Sequence, residues 1–211
     1  MRALVILNGE ISDLKILKEI GKEYDFILCA DGAIEYCLKA SIIPHMLIGD
    51  LDSISEYNLR LAKDNNIPIK RFPVKKDETD SELAINYLME RGYTDITIIG
   101  AMGNRMDHTL ANIFLLNKIH EKGIKGKIID KNNTIYLVQD ELVLDRKENY
   151  FISLIPITEY GVIVTLKGFE YELNKSKINF GTTYGVSNRI TEDKGYVTVH
   201  SGKCFVFVSK D

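Results

Sequence analysis

The sequence predicts an α/β N-terminal domain, a mostly parallel sheet with helices on both faces, followed by an all-β C-terminal sandwich or barrel domain. Two observations carry this. Over the first 124 residues, short apolar runs alternate with segments of helical periodicity, the pattern of βαβ units. From about Gly126 onward, short apolar runs follow one another directly, separated by Gly, Asn, Asp and Lys, the pattern of antiparallel strands. The expected units are 1–124 and 125–211, with the change of texture at Lys122 to Gly126.

In order, Ala3 to Leu7 is a compact apolar run that stops at Asn8-Gly9, a buried strand. Leu14, Leu17 and Ile20 give Asp13 to Lys22 the spacing of a helix. Asp25 to Ala30 is a strand ending at Asp31-Gly32, and Ala33 to Lys39 suits a short helix. Met46 to Ile48 is a strand ending at Gly49-Asp50, Glu56 to Asn65 a helix, and Pro68 to Phe72 a strand. Leu83, Ile85, Leu88 and Met89 define a helix over Glu82 to Arg91. Asp95 to Ile99 is a strand ending at Gly100, and Thr109 to His120 a helix. The second half reads as strands at Lys127 to Asp130, Thr134 to Val138, Leu142 to Leu144, Tyr150 to Pro156, Val162 to Leu166, Tyr196 to His200 and Cys204 to Ser209.

Composition narrows the function. Of 211 residues, 45% are hydrophobic and 27% charged, ordinary values for a globular chain with a real core. A net charge of −3 argues against a protein that coats nucleic acid, which needs a basic field. No apolar run approaches membrane-spanning length, and the N-terminal run is too short for a signal-peptide core. Cys29, Cys37 and Cys204 form no CxxC pair and read as reduced, buried thiols of a cytoplasmic protein.

The acids fall where an open parallel sheet binds its ligands, at the carboxyl ends of strands. Asp31, Asp50, Asp52, Asp77, Asp80 and Asp107 all lie there. If Gly49-Asp50-Leu51-Asp52-Ser53 stays extended, Asp50 and Asp52 point the same way and invite a cation such as Mg2+ carried on phosphates. A surface turn uses the same residue types. In Lys75-Lys76-Asp77-Glu78-Thr79-Asp80-Ser81-Glu82, Thr79 and Glu82 make a capping box, which leaves Asp80 to face the strand ends. Gly100-Ala101-Met102-Gly103-Asn104-Arg105-Met106-Asp107-His108 is a glycine-bearing strand-to-helix loop. Its N–H groups and Arg105 could meet phosphate, or it could be a tight turn with Asp107 as N-cap. Neither GxxxxGK[ST] nor GxGxxG occurs. Gly181 to Asn188 is a polar, glycine-punctuated loop that fits a plain surface loop or a site for a heteroaromatic.

Taken in order, these segments resemble the thiamine pyrophosphokinase family. Ala30-Asp31-Gly32-Ala33, Ile48 to Ser53, Phe72 to Asp80, Gly100 to His108 and Gly185-Val186-Ser187-Asn188 are similar to its ADG, GDxDS, FPxxKDxTD, GxxGxRxDH and GxSN segments. Each is modest alone; five in order, along nearly the whole chain, are specific. The resemblance implies pyrophosphoryl transfer from ATP to the hydroxyl of thiamine, giving thiamine diphosphate and AMP. It also implies a homodimer with the thiamine site at the interface. On that reading Asp50, Asp52 and Asp80 hold Mg2+, with Asp77 nearby as a catalytic residue. Asp31, Gly32, Gly100, Gly103, Asn104, Arg105, Asp107 and His108 form the ATP site. Thr79, Asp80, Ser187 and Asn188 hold thiamine. Two positions depart from the family pattern: Asn104 stands where a second glycine is frequent, and Arg189 where Glu is frequent.

Overall fold

The structure, a computed structural model, describes residues 1–73 and 77–211. Two compact units emerge, Met1–Lys131 and Asn132–Asp211.

The first unit begins with β1 (Arg2–Ile6), α1 (Leu14–Gly21) and β2 (Phe26–Ala30). A short 3-10 turn, Asp31–Ala33, leads into α2 (Ile34–Lys39). There follow β3 (Met46–Gly49), α3 (Glu56–Asp64), β4 (Ile69–Arg71), α4 (Asp80–Glu90), β5 (Asp95–Ile99), α5 (Met106–Glu121) and β6 (Lys125–Ile129). The strands lie in the order β4-β3-β2-β1-β5-β6, every pair parallel. Buried from end to end, Ala3 to Leu7, Ile27 to Ala30 and Ile96 to Ile99 show why these strands read as continuous apolar runs. Leu4, Ile6, Leu17, Cys29, Ile34, Cys37 and Leu47 form one core cluster in which helix and strand side chains interlock.

The helices start where local chemistry allows. Asp13 caps α1 by accepting from the N–H groups of Lys15 and Ile16. Ser55 caps α3, and Thr79 caps α4 by accepting from the Glu82 N–H at 3.2 Å. Only half of the expected capping box forms. The Glu82 carboxylate reaches Lys118 on α5 at 2.5 Å instead, an ion pair that ties α4 to α5.

The second unit is all β: β7 (Asn133–Val138), β8 (Glu141–Asp145), β9 (Phe151–Pro156), β10 (Val162–Lys167), β11 (Leu173–Ile178), β12 (Lys194–Ser201) and β13 (Cys204–Ser209). β7, β13 and β9 pair antiparallel in that order, and so do β11, β10, β12 and β8. Both sets feed one core, with Val138, Ile152, Leu154, Val206 and Val208 meeting Leu144, Val162, Val164, Leu166 and Val197.

The units divide after Lys131, not after residue 124, because β6 pairs in parallel with β5 from Asp95↔Lys125 to Ile99↔Ile129. β11 is absent from the sequence reading. Its residues, Leu-Asn-Lys-Ser-Lys-Ile, bury fully only at Ile178, so an edge strand carries almost no apolar signal. Lys75 and Lys76 of the FPxxKDxTD-like segment lie outside the described residues.

Candidate functional site

Asp31 follows β2 directly and has φ +48, a left-handed conformation unusual for a residue with a side chain. The Ser53 hydroxyl donates to Asp31 Oδ2 and accepts from the Gly32 N–H at 3.1 Å. Asp31 is 9% exposed, and its Oδ1 is buried without a hydrogen-bond partner. One strand over, Gly49 at the end of β3 has φ +152, and a Cβ there would lie 3.0 Å from Asp31 Cβ. Glycine thus lets the two strand ends approach closely enough for Asp31 and Asp50 to meet.

Asp50 and Asp52 do come together, by another route than the expected extended one. Leu51 takes φ +70, so the chain turns left-handed between them. Asp50 Oδ1 accepts from the Asp52 N–H at 3.1 Å. The Asp50 carbonyl accepts from Arg71 Nε at 3.3 Å, which ties the turn to the end of β4. Carboxylate oxygens of Asp31, Asp50 and Asp52 all lie within 4.8 Å of one another. Asp52 is exposed, yet its pKa is raised, first by its hydrogen bond to Asp50 and the charge of Asp50, then by partial loss of solvent, and last by the charges of Asp31 and Asp80.

Asp80 is the first residue of α4 and acts on Asp52 through its charge. Asp77 is exposed in the bend before that helix. Thr79 is exposed, with its hydroxyl spent on the cap.

On the other side of β1, the loop after β5 is held rigidly. Gly100 has φ +70, and a Cβ there would sit 2.2 Å from the Leu7 carbonyl oxygen. The Gly9 and Glu10 N–H groups donate to the carbonyls of Gly100 (2.8 Å) and Met102 (2.7 Å). Asn112 Nδ2 donates to the Ala101 carbonyl at 2.8 Å, and the Gly103 N–H to Thr109 Oγ1 at 3.2 Å. The Gly103 amide is therefore engaged by a hydroxyl in the second turn of α5, the helix that begins at Met106. α5 begins at Met106, so Asp107 lies in the first turn and is not the N-cap. Its carboxylate accepts two bonds from the Arg105 guanidinium, at 3.2 and 2.6 Å, which holds it down at about 2. Asn104 and His108 are exposed beside this pair.

In the second unit, Asn188 is buried. Its Oδ1 accepts from the N–H groups of Tyr171 (3.1 Å) and Arg189 (2.8 Å), and its Nδ2 donates to the Tyr171 carbonyl at 2.8 Å. Ser187 is exposed at φ +64, its N–H donating to Ser153 Oγ at 3.0 Å.

Ser53 and Arg71 are site residues missing from the sequence reading. Ser53 stands inside the GDxDS-like segment, but only its bond to Asp31 shows its purpose; Arg71 acts through a main-chain carbonyl, which no sequence pattern displays.

Three convergent carboxylates, one with an unsatisfied buried oxygen, form a donor set suited to a hard cation with oxygen ligands. They lie at the carboxyl ends of parallel strands. The class this defines, with the relatives below, is an ATP-dependent diphosphotransferase. Residues 17–128 match the catalytic domain of thiamin pyrophosphokinase, and residues 139–204 its vitamin B1 binding domain. Thiamine pyrophosphokinase from Bacillus subtilis is 36% identical over 209 residues, 98% of each chain. The crystal structure of thiamine pyrophosphokinase from Bacillus subtilis superposes with a TM-score of 0.90 at 30% identity, covering 100% of both chains. That of the Geobacillus thermodenitrificans enzyme gives 0.85 at 25% identity, covering 100% of this chain and 98% of that one. The chain belongs to the thiamine pyrophosphokinase family.

Proposed function

We propose that Asp31, Asp50 and Asp52, with Asp80 at hand, hold the Mg2+ that accompanies ATP, and that the chain moves the pyrophosphoryl group of ATP to the hydroxyl of thiamine. The observation that carries this is the gathering of three carboxylates around an unsatisfied buried oxygen of Asp31. Carboxylates this close repel one another unless a cation lies among them. When bound, Mg2+ neutralises charge on the polyphosphate.

The residues of the chain supply position. Ser53 fixes the rotamer of Asp31. Arg71 fixes the turn that presents Asp50 and Asp52. Arg105, preset by Asp107, offers its remaining N–H donors to phosphate oxygens, beside Asn104 and His108. The thiamine oxygen attacks the β-phosphorus in line, the bond from that phosphorus to the α-phosphate oxygen breaks, and AMP leaves. A carboxylate of the acidic set, Asp77 and Asp80 included, takes the proton lost by the hydroxyl. Catalysis of this kind is mostly positioning and charge neutralisation.

Ser187 contributes the thiamine contact of the second unit, and Asn188 shapes that contact through the Tyr171 main chain. Thr79 sets the start of the helix that carries Asp80. The working form is a homodimer with thiamine at its interface, in the cytoplasm. The described residues include no helix long and apolar enough to cross a membrane. Cys29, Cys37 and Cys204 are free and buried, as in a reducing compartment.

The test is mass spectrometry of the protein incubated with ATP, Mg2+ and thiamine, beside a control without thiamine. AMP and thiamine diphosphate are expected together, and only with thiamine. ADP or free phosphate formed without thiamine would replace this reading with a hydrolase.

A further inference from the structure

The strand order reverses at β1. The chain steps outward through β2, β3 and β4, then returns past β1 to add β5 and β6 on the other side. Such a reversal leaves a crevice above the carboxyl ends of the two strands that flank it, and ligands of open parallel sheets bind there. In this protein the rule points to Asn8-Gly9 after β1 and Gly100 to Gly103 after β5.

The main chain ties the β1 side of this crevice to β5. Leu7, Gly9 and Glu10 N–H groups donate to the carbonyls of Ile99, Gly100 and Met102 at 2.8, 2.8 and 2.7 Å. Asn8 stands between these rungs with an exposed side chain. Its carboxamide lies across the α-carbon of Gly32: a Cβ on Gly32 would be 2.6 Å from Asn8 Nδ2. Gly32 follows Asp31 and shares its Ser53 tether. The carboxamide thus lies against the turn that follows Asp31, while the main chain on either side of Asn8 is bonded to the end of β5 and the glycine loop. It makes no hydrogen bond within the described residues, so neither an Asx turn nor a helix cap accounts for it.

We infer that Asn8 is a nucleotide-binding residue, donating a carboxamide N–H to the polyphosphate of ATP where that chain crosses from the carboxylates to the glycine loop. This rests on the ATP site proposed above. The chemistry suits the place. Asp31, Asp50 and Asp52 repel phosphate unless a cation intervenes, whereas a carboxamide is neutral and carries two N–H donors. A hydrogen bond to a charged phosphate oxygen is stronger than one between neutral groups. The lack of a side chain on Gly32 leaves the carboxamide its room beside the turn.

The experiment is steady-state kinetics on Asn8→Ala, Asn8→Asp and Asp52→Asn at saturating Mg2+, varying ATP and thiamine separately. Asn8→Ala should raise KM for ATP about tenfold, the loss of one hydrogen bond to a charged group. Asn8→Asp, of the same shape but anionic, should raise it further. Both should leave KM for thiamine and the unfolding midpoint at wild-type values. Unchanged KM for ATP in both variants, with Asp52→Asn inactive, would overturn the role of Asn8 and leave the ATP site standing. A loss shared equally between ATP and thiamine would also overturn it. Full activity in Asp52→Asn would remove the site on which the inference rests.

Discussion

Asp52 is a surface carboxylate whose pKa its neighbours raise, with the hydrogen bond to Asp50 first among the causes. A folded pKa above the unfolded one means that the folded state binds its proton more tightly. The stabilising contribution is therefore present below the ordinary carboxylate range of about 4 and is lost as pH rises through the raised value. Above it, the metal-free protein carries the full repulsion. Asp52→Asn should then unfold at or above the wild-type midpoint in EDTA, gain less midpoint from Mg2+, and lose turnover by about a hundredfold. Calorimetry with and without Mg2+, beside an activity assay, checks all three. A variant that keeps the wild-type Mg2+ shift and turnover would take Asp52 out of the metal site. A second residue-scale prediction separates conformation from contact. Gly92 and Gly100 share φ near +70, at +77 and +70, but a Cβ on Gly92 meets nothing within 4 Å, whereas one on Gly100 meets the Leu7 carbonyl at 2.2 Å. Gly92→Ala should cost about 1 kcal/mol from the left-handed backbone alone. Gly100→Ala adds a clash with a main-chain oxygen that has no room to move, so its loss in urea unfolding should exceed that by about 2 kcal/mol. Equal losses would show that the loop gives way.

Elements were legible in the sequence where burial writes a pattern. β13 is read with its observed bounds, and β5 likewise, because Asp95 and Gly100 bracket an apolar run. β11 was not legible, since an edge strand with two lysines and a single fully buried residue lacks the apolar signature. The site shows the same division. Strand ends and glycines point to the place where Asp31, Asp50 and Asp52 gather, because the carboxyl ends of parallel strands lie side by side. The left-handed turn at Leu51, the start of α5 at Met106 and the capture of Glu82 by Lys118 were not legible. Each depends on a partner distant in the chain, or on a backbone angle that the residue type disfavours. Asn188 makes the point most fully. As part of a GxSN segment it reads as a ligand residue, but its carboxamide binds the main chain of Tyr171 while its own main chain pairs with Ile152 at 2.7 and 2.9 Å. It therefore holds the segment around Tyr171 beside β9. Asn188→Ala should cost about 2 kcal/mol in denaturant unfolding, through main-chain groups left without a partner. Wild-type stability with a raised KM for thiamine alone would make Asn188 a direct ligand instead.

At the scale of the whole molecule, each unit leaves apolar side chains in water that its own core does not use. On α5, Met106, Leu110 and Phe114 are spaced four residues apart, one face of a helix, and each is more than half exposed. In the second unit, Phe180, Tyr184 and Val186 are exposed within a few residues of Ser187, and Tyr160, Tyr171 and Tyr196 are exposed as well. Single exposed apolar residues are ordinary, but runs of them beside a proposed binding loop favour a protein partner. A second copy of the chain is the partner always present at matching concentration, and a two-fold contact needs only a surface that complements itself. Light scattering should accordingly give twice the chain mass of 24.0 kDa. If thiamine binds at that contact, turnover per chain should fall as the protein is diluted through the dissociation range, because each dissociation dismantles sites. Replacing Phe180 and Tyr184 with Ser should shift the dilution curve to higher protein concentration and leave the unfolding midpoint of the first unit unchanged. Constant turnover per chain in a form shown by scattering to be monomeric would place the whole thiamine site within one chain.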